Sequence, residues 1–267
     1  MNLDILYQDE DLLVINKPAG VVVNRAKSVQ GETVQDFFQK QIFNSCLPAR
    51  QVQFSNHKNL IPDDFDPQYG SPEEIFAERQ GMVHRLDKDT SGALILAKNP
   101  GSLVNLLAQF WERQVQKKYL ALVHGKFNVE RDIISFPIAR AHDDRQKFRV
   151  DISGREAKTE YRVLEFYPDL KDKKLRSKSY QGFSLLECLP KTGRTHQIRV
   201  HLAHIKHPLV GDLKYLGRKR RKLDTLWTKR HFLHASEITF THPRSGETLT
   251  ITAPLPSDLQ TVLSMLE

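Results

Sequence analysis

Cysteine is scarce in this 267-residue chain: Cys46 and Cys188 are the only two, and they lie far apart. Two thiols cannot build a disulfide framework, nor a four-thiolate zinc site by themselves. Both are expected to be reduced, whether buried or at the surface. Long apolar runs are missing as well. No stretch approaches the roughly 18 residues of a membrane span, so no membrane partner is expected. The first residues lack the basic start and apolar stretch of a secretion signal, which makes a cytoplasmic location the expectation. There is also no Walker-type phosphate loop and no dinucleotide-type glycine fingerprint. Internal repeats and low-complexity tracts are absent too.

What is present suits a globular protein. Hydrophobic residues make up 39% of the chain, enough for a core, and charged residues 27%. The balance is basic, with a net charge of +8 and a pI near 9.4. Basic surfaces attract phosphate backbones. Arg218-Lys219-Arg220-Arg221-Lys222 and the stretch from Lys171 to Lys178 concentrate that charge. Each block also reads as an ordinary solvated loop, the commoner case for a charge run. Neither carries the interleaved aromatics of a single-strand stacking platform.

Apolar patterning places the elements. Ile5-Leu6-Tyr7 and Leu12 to Ile15 flank a polar turn and predict a hairpin. Val34, Phe37, Phe38 and Ile42 recur at helical spacing within 33–43. Residues 44–80 are polar and proline-bearing, and their length predicts a surface insertion or functional loop. A second helix is predicted around Leu103 to Trp111. Strands are predicted at 119–123, 147–152, 157–167 and 182–189. Thr195 to Ile205 reads as helix, Phe232–Thr241 and Glu247–Ala253 as a hairpin, and 257–266 as a short capped helix. Strands dominate without regular alternation with helices. That pattern argues an α+β fold with a mixed, largely antiparallel sheet, taken as a single domain over 1–267.

The densest chemistry lies in His84-Arg85-Leu86-Asp87-Lys88-Asp89-Thr90-Ser91-Gly92. The apolar run Ala93 to Ala97 follows and reads as a buried strand. Charges tied to a buried strand are costly to desolvate unless paired. A carboxylate beside an arginine can stay ionised there, as a nucleophilic or acid/base Asp requires. The plain alternative is a capping or salt-bridged Asp.

This nonapeptide resembles the active-site segment of the RluA-type RNA pseudouridine synthases, in which the Asp after His-Arg-Leu is catalytic; here that is Asp87. Asn16-Lys17-Pro18-Ala19-Gly20 is similar to the family's amino-terminal motif. Thr192-Gly193-Arg194-Thr195-His196-Gln197-Ile198-Arg199-Val200-His201-Leu202-Ala203-His204 is similar to its carboxy-terminal one, continued by His207 to Asp212. Three long motifs in order are far more specific than one. The resemblance implies one catalytic domain on a central mixed sheet, acting on ribosomal or transfer RNA. Many members carry a small RNA-binding domain in front; with the first predicted strand at the start of this sequence, that domain is expected to be absent here, and a monomer is the default expectation.

The implied reaction breaks the N1–C1′ bond of uridine, turns the base and joins C5 to C1′. Its balance needs no redox change, cofactor or metal. By resemblance Asp87 either attacks the nucleoside or removes a ribose proton, and the sequence leaves both routes open. The family pattern places Arg199 in a salt bridge to that Asp; a phosphate contact or a solvent-facing Arg is the alternative. Tyr119 matches the family's active-site Tyr, although a strand Tyr is more often core packing. Arg85 is implied in displacing the target base, since a stacked base must flip to be reached. Lys118 and Arg194 join it as substrate-binding residues. Asn16, Lys17 and Gly20 are given a structural role at the floor or rim of the cleft.

Asp87-Lys88-Asp89-Thr90 fits the Asp-x-Asp-x-Thr pattern of haloacid-dehalogenase-type phosphotransferases. That pattern should follow a buried parallel strand, whereas Gly81 to Leu86 is too polar and short. His196, His201, His204 and His207 invite a zinc reading, but His196 and His201 share no helix face and no Cys or carboxylate set completes a site. A non-catalytic RNA-binding protein on the same fold is the remaining class. Intact Asp87, Tyr119 and Arg199 speak against it.

Overall fold

The structure is a computed structural model that describes residues 3–26, 29–45, 60–62, 65–66, 68 and 70–267, with the backbone alone at 41–45. The chain forms two compact units: Met1–Gln116 with Glu237–Pro254, and Lys117–Ser236 with Leu255–Glu267.

In the first unit, strands β1 (Asp4–Gln8) and β2 (Leu12–Lys17) form the expected antiparallel hairpin. Asp9 closes its turn by accepting from the Asp11 and Leu12 amides, both at 2.8 Å. Helix α1 (Val34–Ser45) buries Val34, Phe37 and Phe38 as the spacing predicts; the side chain of Ile42 is outside the described residues. Much of 44–80 is also outside them, including Cys46. Its end is not loop: Pro72–Arg79 is helix α2. Ser71 and Glu74 form a reciprocal capping box, and Pro72 sits where a missing amide costs nothing. That start signal went unread because the helix buries no residue and so shows no apolar stripe.

Strand β3 (Ser91–Ala97) is buried at all seven positions, which is why it reads as a continuous apolar run. It pairs antiparallel with β2, from Leu12 opposite Ala97 to Lys17 opposite Gly92. Helix α3 (Pro100–Trp111) is capped by Asn99, which accepts from the Ser102 amide. Leu103 and Leu106 pack with Leu12, Val14 and Ile95 in the core of this unit.

The second unit continues with β4 (Gln116–His124), β5 (Arg131–Ser135), β6 (Ile138–Arg140), β7 (Phe148–Val150), β8 (Lys158–Tyr167) and β9 (Phe183–Pro190). Next along the chain come α4 (Gln197–His204), α5 (Arg218–Asp224), β10 (Leu233–Thr241), β11 (Thr248–Thr252) and α6 (Ser257–Ser264), of which β11 and the end of β10 belong to the first unit. Strands β4, β9, β8 and β5 lie side by side, antiparallel, and β6 pairs with β7 as a separate ribbon. Beside β4, the Leu122 amide donates to Phe232 O and Ser236 Oγ to Lys118 O, at the start of β10. The last residues of β10 belong to the first unit, where Glu237 to Thr241 pair antiparallel with β11.

Both faces of the second unit's sheet are covered, in register with the two-residue period of a strand. Ala121, Val123, Leu186 and Cys188 pack on Ile198 and Leu202 of α4. Leu122, Phe183 and Leu185 turn the other way, onto Leu259 and Val262 of α6. Cys188 is a fully buried free thiol whose pKa burial pushes up.

The α+β class and largely antiparallel sheet thus match the sequence. Two details differ. The 218–222 block is helical rather than loop. Helix α6 has Pro256 at its cap and no side-chain cap bond. No helix among the described residues is long and apolar enough to cross a membrane.

Candidate functional site

Each unit carries part of the motif chemistry. In the first, Asp87 lies in a segment at 83–87 that is neither helix nor strand, just before a turn that leads into β3. The segment is anchored on both sides of the carboxylate. Upstream, His84 Nε2 accepts from the Ile95 amide at 3.0 Å, and its ring stacks on Phe110 at 4.8 Å. An accepting Nε2 requires the neutral tautomer protonated at Nδ1. Leu86 is buried, while Arg85 is exposed and Asp87 half-buried.

Downstream, the Lys88 carbonyl accepts from the Gly20 amide at 2.9 Å and from Lys17 Nζ at 3.0 Å. Lys17 is wholly buried, and its ammonium also donates to Pro18 O at 2.7 Å and Val21 O at 2.9 Å. Three carbonyls engage the three N–H groups of the ammonium, which is how a buried charge is tolerated. Gly20 has φ of 84°, a left-handed conformation that favours glycine. The Asn-Lys-Pro-Ala-Gly motif is therefore a clamp on the Asp87 turn, in line with its expected structural role.

The Asp87-Lys88-Asp89-Thr90 run precedes β3 instead of following a strand end. That topology removes the phosphotransferase reading, whose Asp must sit at the carboxyl end of a parallel strand.

The second unit holds Tyr119, Lys118, Arg194 and Arg199. Tyr119 lies on β4 opposite Cys188 and packs against the cluster containing Ile198 and Leu202 of α4. Lys117, two residues earlier on the same strand, has its pKa lowered by burial. Arg199 is 5% exposed. Its Nε and Nη2 donate to the two oxygens of Asp212 at 2.8 and 2.9 Å, and its guanidinium lies 5.1 Å from the Tyr215 ring centre. Burial pushes Asp212 up, but the bonds and charge of Arg199 outweigh it and hold the carboxyl below its ordinary value. Asp212 also accepts from the Lys214 and Tyr215 amides at 2.9 and 3.2 Å. Asp212 and Tyr215 are thus partners that sequence reasoning missed. Asp212 closes the quoted motif, yet no spacing rule links it to Arg199.

Gln197 organises the loop before α4, accepting from the Arg194 amide and donating to Lys158 O and Thr159 Oγ1, each at 3.0 Å. His196 enters the helix with φ of 57°, a strained conformation for a side-chain-bearing residue. Three of the four histidines of this region make hydrogen bonds within the unit, and the His204 ring meets Phe136 edge-on. His196 Nδ1 meets Tyr215 Oη at 2.8 Å, His201 bonds Thr159 Oγ1 and Phe136 O, and His207 bonds His124 O. Among the described residues the one cluster with ligand spacing is Asp9, Asp11 and His242. Its oxygens already accept from Tyr7, Asn99, Arg244, His242 and backbone amides. It reads as a bolt between the β1–β2 and β10–β11 hairpins.

Of the two basic blocks, Lys171 to Lys178 is partly spent on the chain's own end, with Lys171 Nζ on Ser264 O and Arg176 on Glu267. Helix α5 keeps Arg218, Lys219, Arg221 and Lys222 exposed. It is fixed by wholly buried Asp224, which accepts from Tyr180 Oη, the Gly211 amide and His124 Nε2.

Comparison with known proteins gives a consistent picture. Residues 11–204 match the family model described as RNA pseudouridylate synthase. The chain is 37% identical over 267 residues to an uncharacterized RNA pseudouridine synthase, YlyB, of Bacillus subtilis, covering 100% of this chain and 73% of that protein. It is 36% identical over 272 residues to ribosomal large subunit pseudouridine synthase D of Xanthomonas campestris, covering 99% and 69%. Among solved structures, human RNA pseudouridylate synthase domain containing 1 superposes with a TM-score of 0.62 at 26% identity, covering 99% of this chain and 94% of that one.

Proposed function

The chain belongs to the RluA-type RNA pseudouridine synthases, isomerases that convert uridine to pseudouridine in RNA, and on that premise we propose that it modifies ribosomal RNA with Asp87 as the catalytic carboxylate. The observation that carries the role of Asp87 is its anchorage. His84, Leu86, Lys17 and Gly20 fix the backbone on either side of a carboxylate that stays accessible. Holding a reacting group in place removes much of the entropic part of a barrier.

In this reading Tyr119 and Arg199 are the other catalytic groups. Arg199 is set by the Asp212 fork and Tyr119 by its packing under α4. Arg85, exposed two residues before Asp87, displaces the target base, and Lys118 and Arg194 hold the RNA. The isomerisation conserves atoms and oxidation state, so no cofactor enters: N1–C1′ breaks, C5–C1′ forms, C5 loses its hydrogen and N1 gains one. The work is assigned to the cytoplasm, by analogy with the bacterial relative named for the large ribosomal subunit.

Large-subunit ribosomal RNA is favoured over transfer RNA because a relative aligned over nearly the whole chain carries that substrate in its name. The test is incubation with unmodified transcripts of large-subunit ribosomal RNA and of transfer RNAs, followed by carbodiimide mapping of pseudouridine. Discrete new sites in the ribosomal transcript are expected. Sites confined to transfer RNA would overturn the substrate, and none in either would overturn the reading.

A further inference from the structure

A cavity of about 500 Å³ lies within the second unit, between the β6–β7 ribbon and the loop that leads into α4. Its size falls in the usual range for small-ligand sites, ~300–1,000 Å³. Arg140, Arg155 and Arg194 line it, with Phe148, Gly193 and Thr195. Neither Tyr119 nor Arg199 does.

Three guanidinium groups stand here without a carboxylate partner among the described residues. Arg194 Nε donates to Glu156 O and Arg140 to Arg145 O, both neutral carbonyls. Other arginines of the unit are neutralised: Arg149 by Asp151, Arg131 by Glu160, Arg162 by Glu187. The cavity therefore concentrates positive charge. It also offers a flat surface, since Arg140 lies 5.0 Å over the Phe148 ring. Guanidinium forks suit phosphate oxygens, and aromatic and guanidinium planes suit unstacked bases.

The cavity wall connects to Arg199. Tyr215 Oη accepts from the Phe148 amide at 3.1 Å and bonds His196 Nδ1 at 2.8 Å, while the Tyr215 ring lies beneath Arg199. Phe148 also meets the His196 ring edge-on, with centres 5.5 Å apart. One phenol thus fixes both the cavity wall and the guanidinium assigned to catalysis.

We infer that this cavity is a second nucleotide subsite, taking the phosphate and unstacked base of an RNA residue other than the isomerised uridine. The inference rests on the RNA-modifying reading above. The ribbon carries the anion and base contacts, and Tyr215 transmits the seating of the RNA to Arg199.

Gly193 supplies a variant that tests the cavity without disturbing the fold, because a Cβ there would meet nothing within 4 Å. The experiment measures anisotropy of a fluorescein-labelled oligouridylate at several salt concentrations, alongside tritium release from [5-³H]uridine-labelled large-subunit ribosomal RNA. Gly193→Val and Phe148→Leu should bind roughly 5- to 150-fold more weakly, the range of one lost base stack, and Phe148→Tyr should bind as wild type. Arg140→Gln with Arg155→Gln should reduce the magnitude of the salt slope by about 1.4. Wild-type affinity and slope in all these variants would overturn the subsite, as would a wild-type protein that does not bind the oligomer. An active wild type with unaffected variants sinks the subsite alone. A wild type that binds through these residues yet releases no tritium sinks the catalytic reading alone.

Discussion

Replacing Lys17 by Met isolates the clamp on the Asp87 turn. The ammonium is fully buried and serves Pro18 O, Val21 O and Lys88 O. A buried acceptor left without a donor costs about 1–3 kcal/mol. The three losses are unequal. Pro18 is exposed, so water can take its oxygen, and Lys88 O keeps the Gly20 amide, so the largest loss falls on half-buried Val21. Removing a buried cation returns part of its desolvation cost. The net expectation is a destabilisation of about 1–3 kcal/mol. With a urea slope of ~2 kcal/mol/M that lowers the unfolding midpoint by about 0.5–1.5 M. Activity should fall further than stability, because Lys88 follows Asp87 directly and a displacement of about 1 Å at a reacting group can cost a hundredfold. Tritium release at saturating RNA should drop about 10- to 100-fold while the protein is still folded. An unchanged midpoint together with an unchanged release rate would refute the clamp.

Three further outcomes follow from other parts of the molecule. Arg199→Lys keeps the charge but offers Asp212 one bond where Arg offers two, and should cost about 1.5–3 kcal/mol in urea unfolding. His201 has its pKa lowered by burial, opposed by its bond to Phe136 O. The unfolded chain then takes up a proton below about pH 6.5 that the folded chain resists, so this stability is present above that pH and lost below it, at up to about 1.4 kcal/mol per pH unit; His201→Gln should flatten the unfolding midpoint between pH 7 and 5 relative to wild type. Arg218→Ala with Arg221→Ala, on the exposed face of α5, should weaken RNA binding and reduce the salt slope by about 1.4–1.8, whereas an unchanged slope assigns the helix to solvent.

What could be read in advance tracks how local each signal is. Strand β3 was legible because burial on both faces leaves an unbroken apolar run. The β1–β2 hairpin and α3 carry their own turn and cap residues, Asp9 and Asn99. Strands β5 and β6 went unread, since β5 buries only Ile134 and β6 is three residues long. Helix α5 reads as loop because it has no apolar stripe; its anchorage comes from Asp224, bonded to Tyr180, Gly211 and His124, a partnership that sequence spacing does not encode. The same holds at the candidate site. Asp87, Tyr119 and Arg199 stand in recognisable motifs, but the Asp212 fork, the Tyr215 bridge and the three carbonyls around Lys17 arise only when distant segments meet.

Single-turnover tritium release from [5-³H]uridine-labelled large-subunit ribosomal RNA tests the chemistry assigned to Asp87 most directly. Wild-type protein should release label in step with pseudouridine formation. Asp87→Asn, which keeps the side chain's size but removes its charge, should bind the same RNA and release none above background. Release by the Asn variant at the wild-type rate would contradict the assignment.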